Sequence, residues 1–117
     1  MNKVLDEIFD EIDERFDEMI EFRRHIHENA ELSFEEFETA SYVGDFYEDK
    51  DVEITRNMGG NGLRVVIDTG KPGKTIALRA DFDALPIKEE TGLSFASKND
   101  GVMHACGHDA TRLILWF

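Results

Sequence analysis

Four side chains able to bind a metal or carry a proton crowd together near the end of the sequence: His104, Cys106, His108 and Asp109. In an extended segment, side chains two residues apart project to the same side. Cys106 and His108 can then reach one ion, with Gly107 between them leaving the approach uncrowded. A thiolate beside an imidazole suits a borderline or soft transition metal. Two ligands do not make a metal site, and Cys-x-His alone reads more plainly as a buried thiol next to a half-exposed histidine. A second group, Asp81 and Asp83, closes an apolar run. Carboxylates at i and i+2 again share a side, and strand C-termini are where sites collect in α/β folds. A turn acid followed by a helix cap accounts for the same residues. His25 and His27 form the third group. On a helix they lie roughly 200° apart, too far round to share a metal, so one is expected to pack and the other to face solvent.

These groups need elements to hold them. Val4, Leu5, Ile8, Phe9, Ile12, Phe16, Met19 and Ile20 recur at three- and four-residue steps, the pattern of an amphipathic helix that fades near His27–Asn29. Its other face is acidic from Asp6 to Glu18, and a solvated exterior explains that run better than a docking site. Ser33-Phe34-Glu35-Glu36 has the form of a capping box, with Leu32 placed for a staple contact to Phe37. A second helix is expected to run to about Lys50, turning Phe37, Ala40, Ser41, Val43, Gly44, Phe46 and Tyr47 to the core. Val52–Arg56 is a short strand candidate ahead of the loop Asn57–Gly62. Leu63–Asp68 and Thr75–Ala80 flank Thr69–Lys74 in the manner of a β-hairpin. Thr75–Ala80 is apolar enough to expect cover on both faces, and Pro86 stops regular structure after it. Gly73-Lys74-Thr75 imitates the end of a phosphate-binding loop, but Asp68 stands where that motif needs glycine.

Composition narrows the classes further. The chain has 117 residues, a size for one domain, with 41% hydrophobic and 33% charged residues. The net charge of −13 disfavours phosphate backbones and anionic lipid, so neither nucleic acid nor membrane is an expected partner. Residues 1–54 hold 19 of the 26 acids and 5 of the 13 bases, leaving the second half near neutral. No run reaches transmembrane length, and the acidic start lacks the apolar core of a signal peptide. One cysteine, Cys106, fits a reducing, cytoplasmic setting.

Four segments in order carry a wider likeness: Arg23-Arg24-His25-Ile26-His27 with Glu31-Leu32-Ser33, then Ala77–Pro86, then Glu89-Glu90-Thr91-Gly92-Leu93, then Met103–Asp109. Together they resemble the metal-dependent amidohydrolases of the aminoacylase and carboxypeptidase superfamily. The resembling branch holds N-acyl-amino-acid amidohydrolases, hippurate hydrolases and indole-acetyl-amino-acid hydrolases. The resemblance runs from about Arg23 to Ala110 and implies an α/β fold: two N-terminal helices, then strands of a partial aminopeptidase-like catalytic domain. It implies that Cys106 and His108 are metal ligands and that Asp83 is the catalytic-site aspartate orienting a ligand from behind. Asp81 stands where distant relatives have a histidine ligand and is not assigned. The implied cofactor is a pair of divalent ions, Zn or Mn, activating water for attack on the amide of a small N-acyl amino acid.

Two departures accompany the resemblance. Ala30 replaces a proline before Glu-Leu-Ser, and Thr111–Phe117 replaces a His-Thr-Ala continuation. With Arg112 encoded by CGN, one restored C ahead of the Thr111 codon regroups the bases as CAC, NCG, NCT, which encode His-Thr-Ala when the free third bases are A and G, so the tail is expected to be out of frame. The whole of residues 1–117 is then expected to be the front of a truncated, inactive catalytic domain without its dimerisation domain. Its exposed sheet face is expected to drive self-association. A competing reading is a non-catalytic acidic interaction module, which would have no need of the Met103–Asp109 segment. Metal storage finds little support in one cysteine.

Overall fold

The computed structural model describes residues 2–111. It is an α/β arrangement of two helices followed by a two-stranded sheet. Helix α1 spans Lys3–Glu28. The Asn2 side chain accepts the Val4 N–H at 3.2 Å, and the Asn29 side chain donates to the His25 carbonyl at 2.7 Å, so both ends are capped. Only the last turns of α1 are buried, at Phe22, Ile26 and His27. The apolar stripe from Val4 to Phe16 stays exposed among the described residues.

Helix α2 spans Phe37–Phe46 and ends earlier than its sequence suggests, because residues 47–50 continue as separate turns. The Ser33–Glu36 capping box does not form: Glu36 caps without a side-chain hydrogen bond. Glu31 takes that role, accepting from the Glu38 N–H, the Thr39 N–H and the Thr39 hydroxyl at 3.1, 2.8 and 2.7 Å. A carboxylate on those first amides also suits the helix dipole. The staple fails with the box, since Phe37 is 65% exposed. The helix instead buries Thr39, Val43 and Gly44.

Strand β1, Glu53–Met58, pairs antiparallel with strand β2, Gly62–Val66. Asn57, Gly59 and Gly60 all take positive φ, and the register shifts between Thr55 and Met58. This is the hairpin of the fold, one strand earlier than expected. Thr75–Ala80 makes no ladder, and Ile76 and Leu78 are 83% and 74% exposed. A segment apolar on both faces needs a layer on each, and none of the described residues supplies one. Phe22, Ile26, Val43 and Tyr47 form the core, joined by Tyr42, Phe46, Val52, Ile54, Leu63 and Val65. At about 2 kcal/mol for each large side chain buried, this cluster is what docks α1, α2 and the hairpin together. No helix among the described residues is long and apolar enough to cross a membrane. The expectation of an out-of-frame tail concerns Thr111–Phe117: Thr111 is helical, its N–H donating to the Gly107 carbonyl at 3.0 Å, and residues 112–117 lie outside the described ones.

Candidate metal centre

Two isolated bridges assemble the site. Leu32 pairs with Ala84, whose N–H donates to the Glu31 carbonyl at 2.7 Å. Leu85 pairs with Met103 through bonds of 2.9 and 3.0 Å. The first bridge sets Ser33 beside Asp83, and the second brings up the segment carrying His104, Cys106, His108 and Asp109.

That segment is not extended. It bends at Cys106-Gly107 and enters a helical turn at residues 108–111. Gly107 has φ +85°, and a Cβ there would meet nothing within 4 Å. Glycine is therefore required by the backbone, not by crowding. The same-side argument for Cys106 and His108 loses its basis, since it needs an extended chain. Cys106 is exposed, which also removes the buried-thiol reading.

His108 is firmly held. Its Nδ1 lies 2.9 Å from Asp83 Oδ1 and 3.1 Å from the Asp83 carbonyl. A carbonyl oxygen only accepts, so Nδ1 carries a proton, and in the neutral ring the lone pair is then on Nε2. The Ser33 hydroxyl donates to Asp83 Oδ2 at 2.5 Å. That bond is the main reason the Asp83 carboxyl sits below its ordinary range, against the opposing effect of burial and with help from its own backbone N–H and His108. Asp81 takes no part: its carboxylate pairs with Arg79 at 2.8 Å. Among the described residues no three of His, Cys, Asp and Glu gather closely enough to cage an ion. An exposed thiol and an imidazole with its lone pair directed by a carboxylate fit two positions of a borderline-metal site.

Behind His108 lies a buried polar cluster that the sequence did not announce. Asp109, 1% exposed, accepts at Oδ2 from Arg23 Nε and from His27 Nδ1, each at 2.8 Å. His27 Nε2 meets Glu89 Oε1 at 3.1 Å, so both contacts are hydrogen bonds when the ring carries both protons. Burial works against the Glu89 charge, yet the Ser97 N–H, the Thr91 hydroxyl and His27 together bring its carboxyl down to about 2. His104, 4% exposed, has its ring centroid 6.2 Å from that of His27, and burial pushes its pKa down. Neither His104 nitrogen nor Asp109 Oδ1 has a hydrogen-bond partner among the described residues. His27 is thus the packed member of its pair, while His25 is exposed and stacks on Tyr42 at 3.9 Å. The i, i+4 spacing of Arg23 and His27 was the available signal for a shared helix face.

Residues 77–116 match Peptidase family M20/M25/M40. The chain is 48% identical to an N-acetyl-L-cysteine deacetylase of Bacillus subtilis over 79% of its own length and 22% of that protein. In structure it resembles an aminohydrolase from methicillin-resistant Staphylococcus aureus, with a TM-score of 0.89, 57% identity, and coverage of 93% of this chain and 29% of that one. It also resembles the YXEP protein of Bacillus subtilis, described as a dinuclear metal binding peptidase from the M20 family. There the TM-score is 0.74 at 43% identity, over 85% of this chain and 30% of that one. The chain spans about a quarter of the length of the curated relatives it matches.

Proposed function

We propose that this chain, whose sequence and fold are those of the M20 amidohydrolases over the stretch they share, supplies two ligands of a divalent-metal site for hydrolysing the amide bond of N-acyl amino acids. The observation that carries this reading is the Asp83–His108 pair. A carboxylate and a carbonyl on Nδ1 fix the tautomer that offers Nε2 to a metal. Cys106 would bind as its thiolate from the exposed bend beside it. Zn or Mn held there would supply Lewis acidity and a more acidic bound water. Asp83 keeps the proton on Nδ1 and the ring in place, and the Arg23–Asp109–His27 contacts anchor the turn behind it. The reading extends to residues 1–117 as a cytoplasmic stretch of a catalytic domain in which Cys106 and His108 by themselves bind a metal weakly, since two protein ligands leave a site open.

The exposed stripe Val4, Leu5, Ile8, Phe9, Ile12 and Phe16, flanked by acids, favours a second reading as an acidic interaction module. Calorimetric titration with Zn²⁺ and Mn²⁺ separates the two. Weak binding that disappears in both Cys106→Ser and His108→Ala is expected of the metal site. Binding that is unaffected by either substitution would overturn it.

A further inference from the structure

We propose that Ser33 is a positioning residue for the metal site, fixing the Asp83 carboxylate so that it presents His108 Nε2 to the ion; this rests on the metal reading above. The contacts form one line. Ser33 Oγ donates to Asp83 Oδ2 at 2.5 Å, and Asp83 Oδ1 accepts from His108 Nδ1 at 2.9 Å. With one oxygen tied to the hydroxyl, the carboxylate cannot rotate away from the imidazole. Without that tie it has a soft torsion and a half-exposed position in which water competes for both oxygens.

The backbone around Ser33 is built for this contact. Ser33 occupies a turn closed by the Glu35 N–H on the Leu32 carbonyl at 3.0 Å, directly after the Leu32–Ala84 bridge. The next residue, Phe34, has φ +68° although it is not glycine, and its side chain is 85% exposed. A left-handed conformation is unfavourable for a residue with a side chain, and no packing of the Phe34 ring offsets it. Strain kept without a packing return marks a backbone shaped for its neighbour. Here that neighbour is Ser33, which the capping-box pattern had assigned to α2 and which makes no cap.

Two readouts on the full chain test the assignment: the His108 tautomer by long-range ¹H–¹⁵N NMR without metal, and Zn²⁺ affinity by calorimetry. In the unsubstituted protein Nδ1 should be protonated and Nε2 should show the shift of an unprotonated nitrogen. Ser33→Ala should raise the Nε2–H population and weaken Zn²⁺ binding about tenfold, the low end for partners behind a ligand. Ser33→Thr, which keeps the hydroxyl, should restore both. An unchanged tautomer and affinity in Ser33→Ala would overturn the proposal. So would failure of Ser33→Thr to restore either while its circular dichroism is native. If Ser33→Ala does not fold, the unsubstituted tautomer decides, because a neutral ring protonated at Nε2 and not at Nδ1 contradicts the arrangement. Zn²⁺ binding insensitive to Cys106→Ser and His108→Ala would instead remove the metal reading and leave the tautomer arm to judge Ser33.

Discussion

Replacing Asp109 by alanine should destabilise the chain by about 3 kcal/mol. The side chain is 1% exposed and accepts two charge-assisted hydrogen bonds at 2.8 Å, from Arg23 and His27. Such bonds contribute about 1.5–3 kcal/mol each. Arg23 keeps 32% of its side-chain surface in water and can rehydrate when its partner is lost, so its bond counts at the low end. His27 has 3% and cannot, so its bond counts near the high end. Loss of the unpartnered Oδ1 relieves a cost and trims the sum. The result sits at the bottom of the range of about 3–5 kcal/mol for breaking a buried pair. Against a typical total of about 5–15 kcal/mol for a domain, that is a large share. Urea unfolding followed by circular dichroism reads it as a midpoint lowered by more than about 1 M at unchanged slope. Asp109→Asn, which retains an acceptor, should cost about half as much. A loss below about 1 kcal/mol in Asp109→Ala would refute the view that this cluster anchors the turn.

Glu89 is held near 2 against an ordinary 4.5, so its contribution is complete above about 4.5 and lost as pH falls towards 2. The melting temperature of Glu89→Gln should therefore fall less steeply than that of the parent across that window, and equal slopes would contradict the pairing. A Cβ on Gly44 would collide with the Arg56 guanidinium, the far end of a side chain that can move off at the expense of its bonds to Asp45 and Glu48. Gly44→Ala should thus change stability by under about 1 kcal/mol alone, and stabilise by about that amount in an Arg56→Ala background, where only helix propensity remains. Ile76 and Leu78 should drive self-association, so light scattering should show smaller species for Ile76→Lys with Leu78→Lys at unchanged circular dichroism.

What could be read from sequence was what local periodicity controls. The apolar steps from Val4 onward and the polar Asn29 gave α1 nearly to its last residue. Ser33 and Glu36 satisfied the capping pattern equally well, but a pattern cannot register competition: Asp83 claims the Ser33 hydroxyl and Glu31 claims the helix amides. The hairpin was misplaced for a related reason. Thr69–Lys74 and Asn57–Gly62 are both plausible turns, and the core under Ile54, Leu63 and Val65 selects the second. At the site, Asp83 and His108 were assigned through the family resemblance, and the structure places them in contact. The Arg23–Asp109–His27–Glu89 chain stayed hidden because its links join residues 86, 82 and 62 positions apart.

Those long links and the short one act on consecutive residues. His108 is bound to Asp83 and, one residue on, Asp109 is bound to α1. A single helical turn is therefore pinned at two anchors that belong to different segments. Closing such long loops adds only a slowly growing entropic cost, about 0.6 kcal/mol for each doubling of length. The core of α1, α2 and the hairpin meets that cost during folding, before any ion arrives. Ordering of the ligand turn then need not be supplied by the ion, which is the condition for a preorganised site. Weakening Asp109 should accordingly lower metal affinity even though its carboxylate faces Arg23 and His27, because the freedom returned to the turn must be removed again on binding. Zn²⁺ affinity in Asp109→Asn, measured at a temperature where the variant is fully folded, should fall. An affinity equal to that of the parent would mean that the Asp83–Ser33 side holds His108 without help from α1.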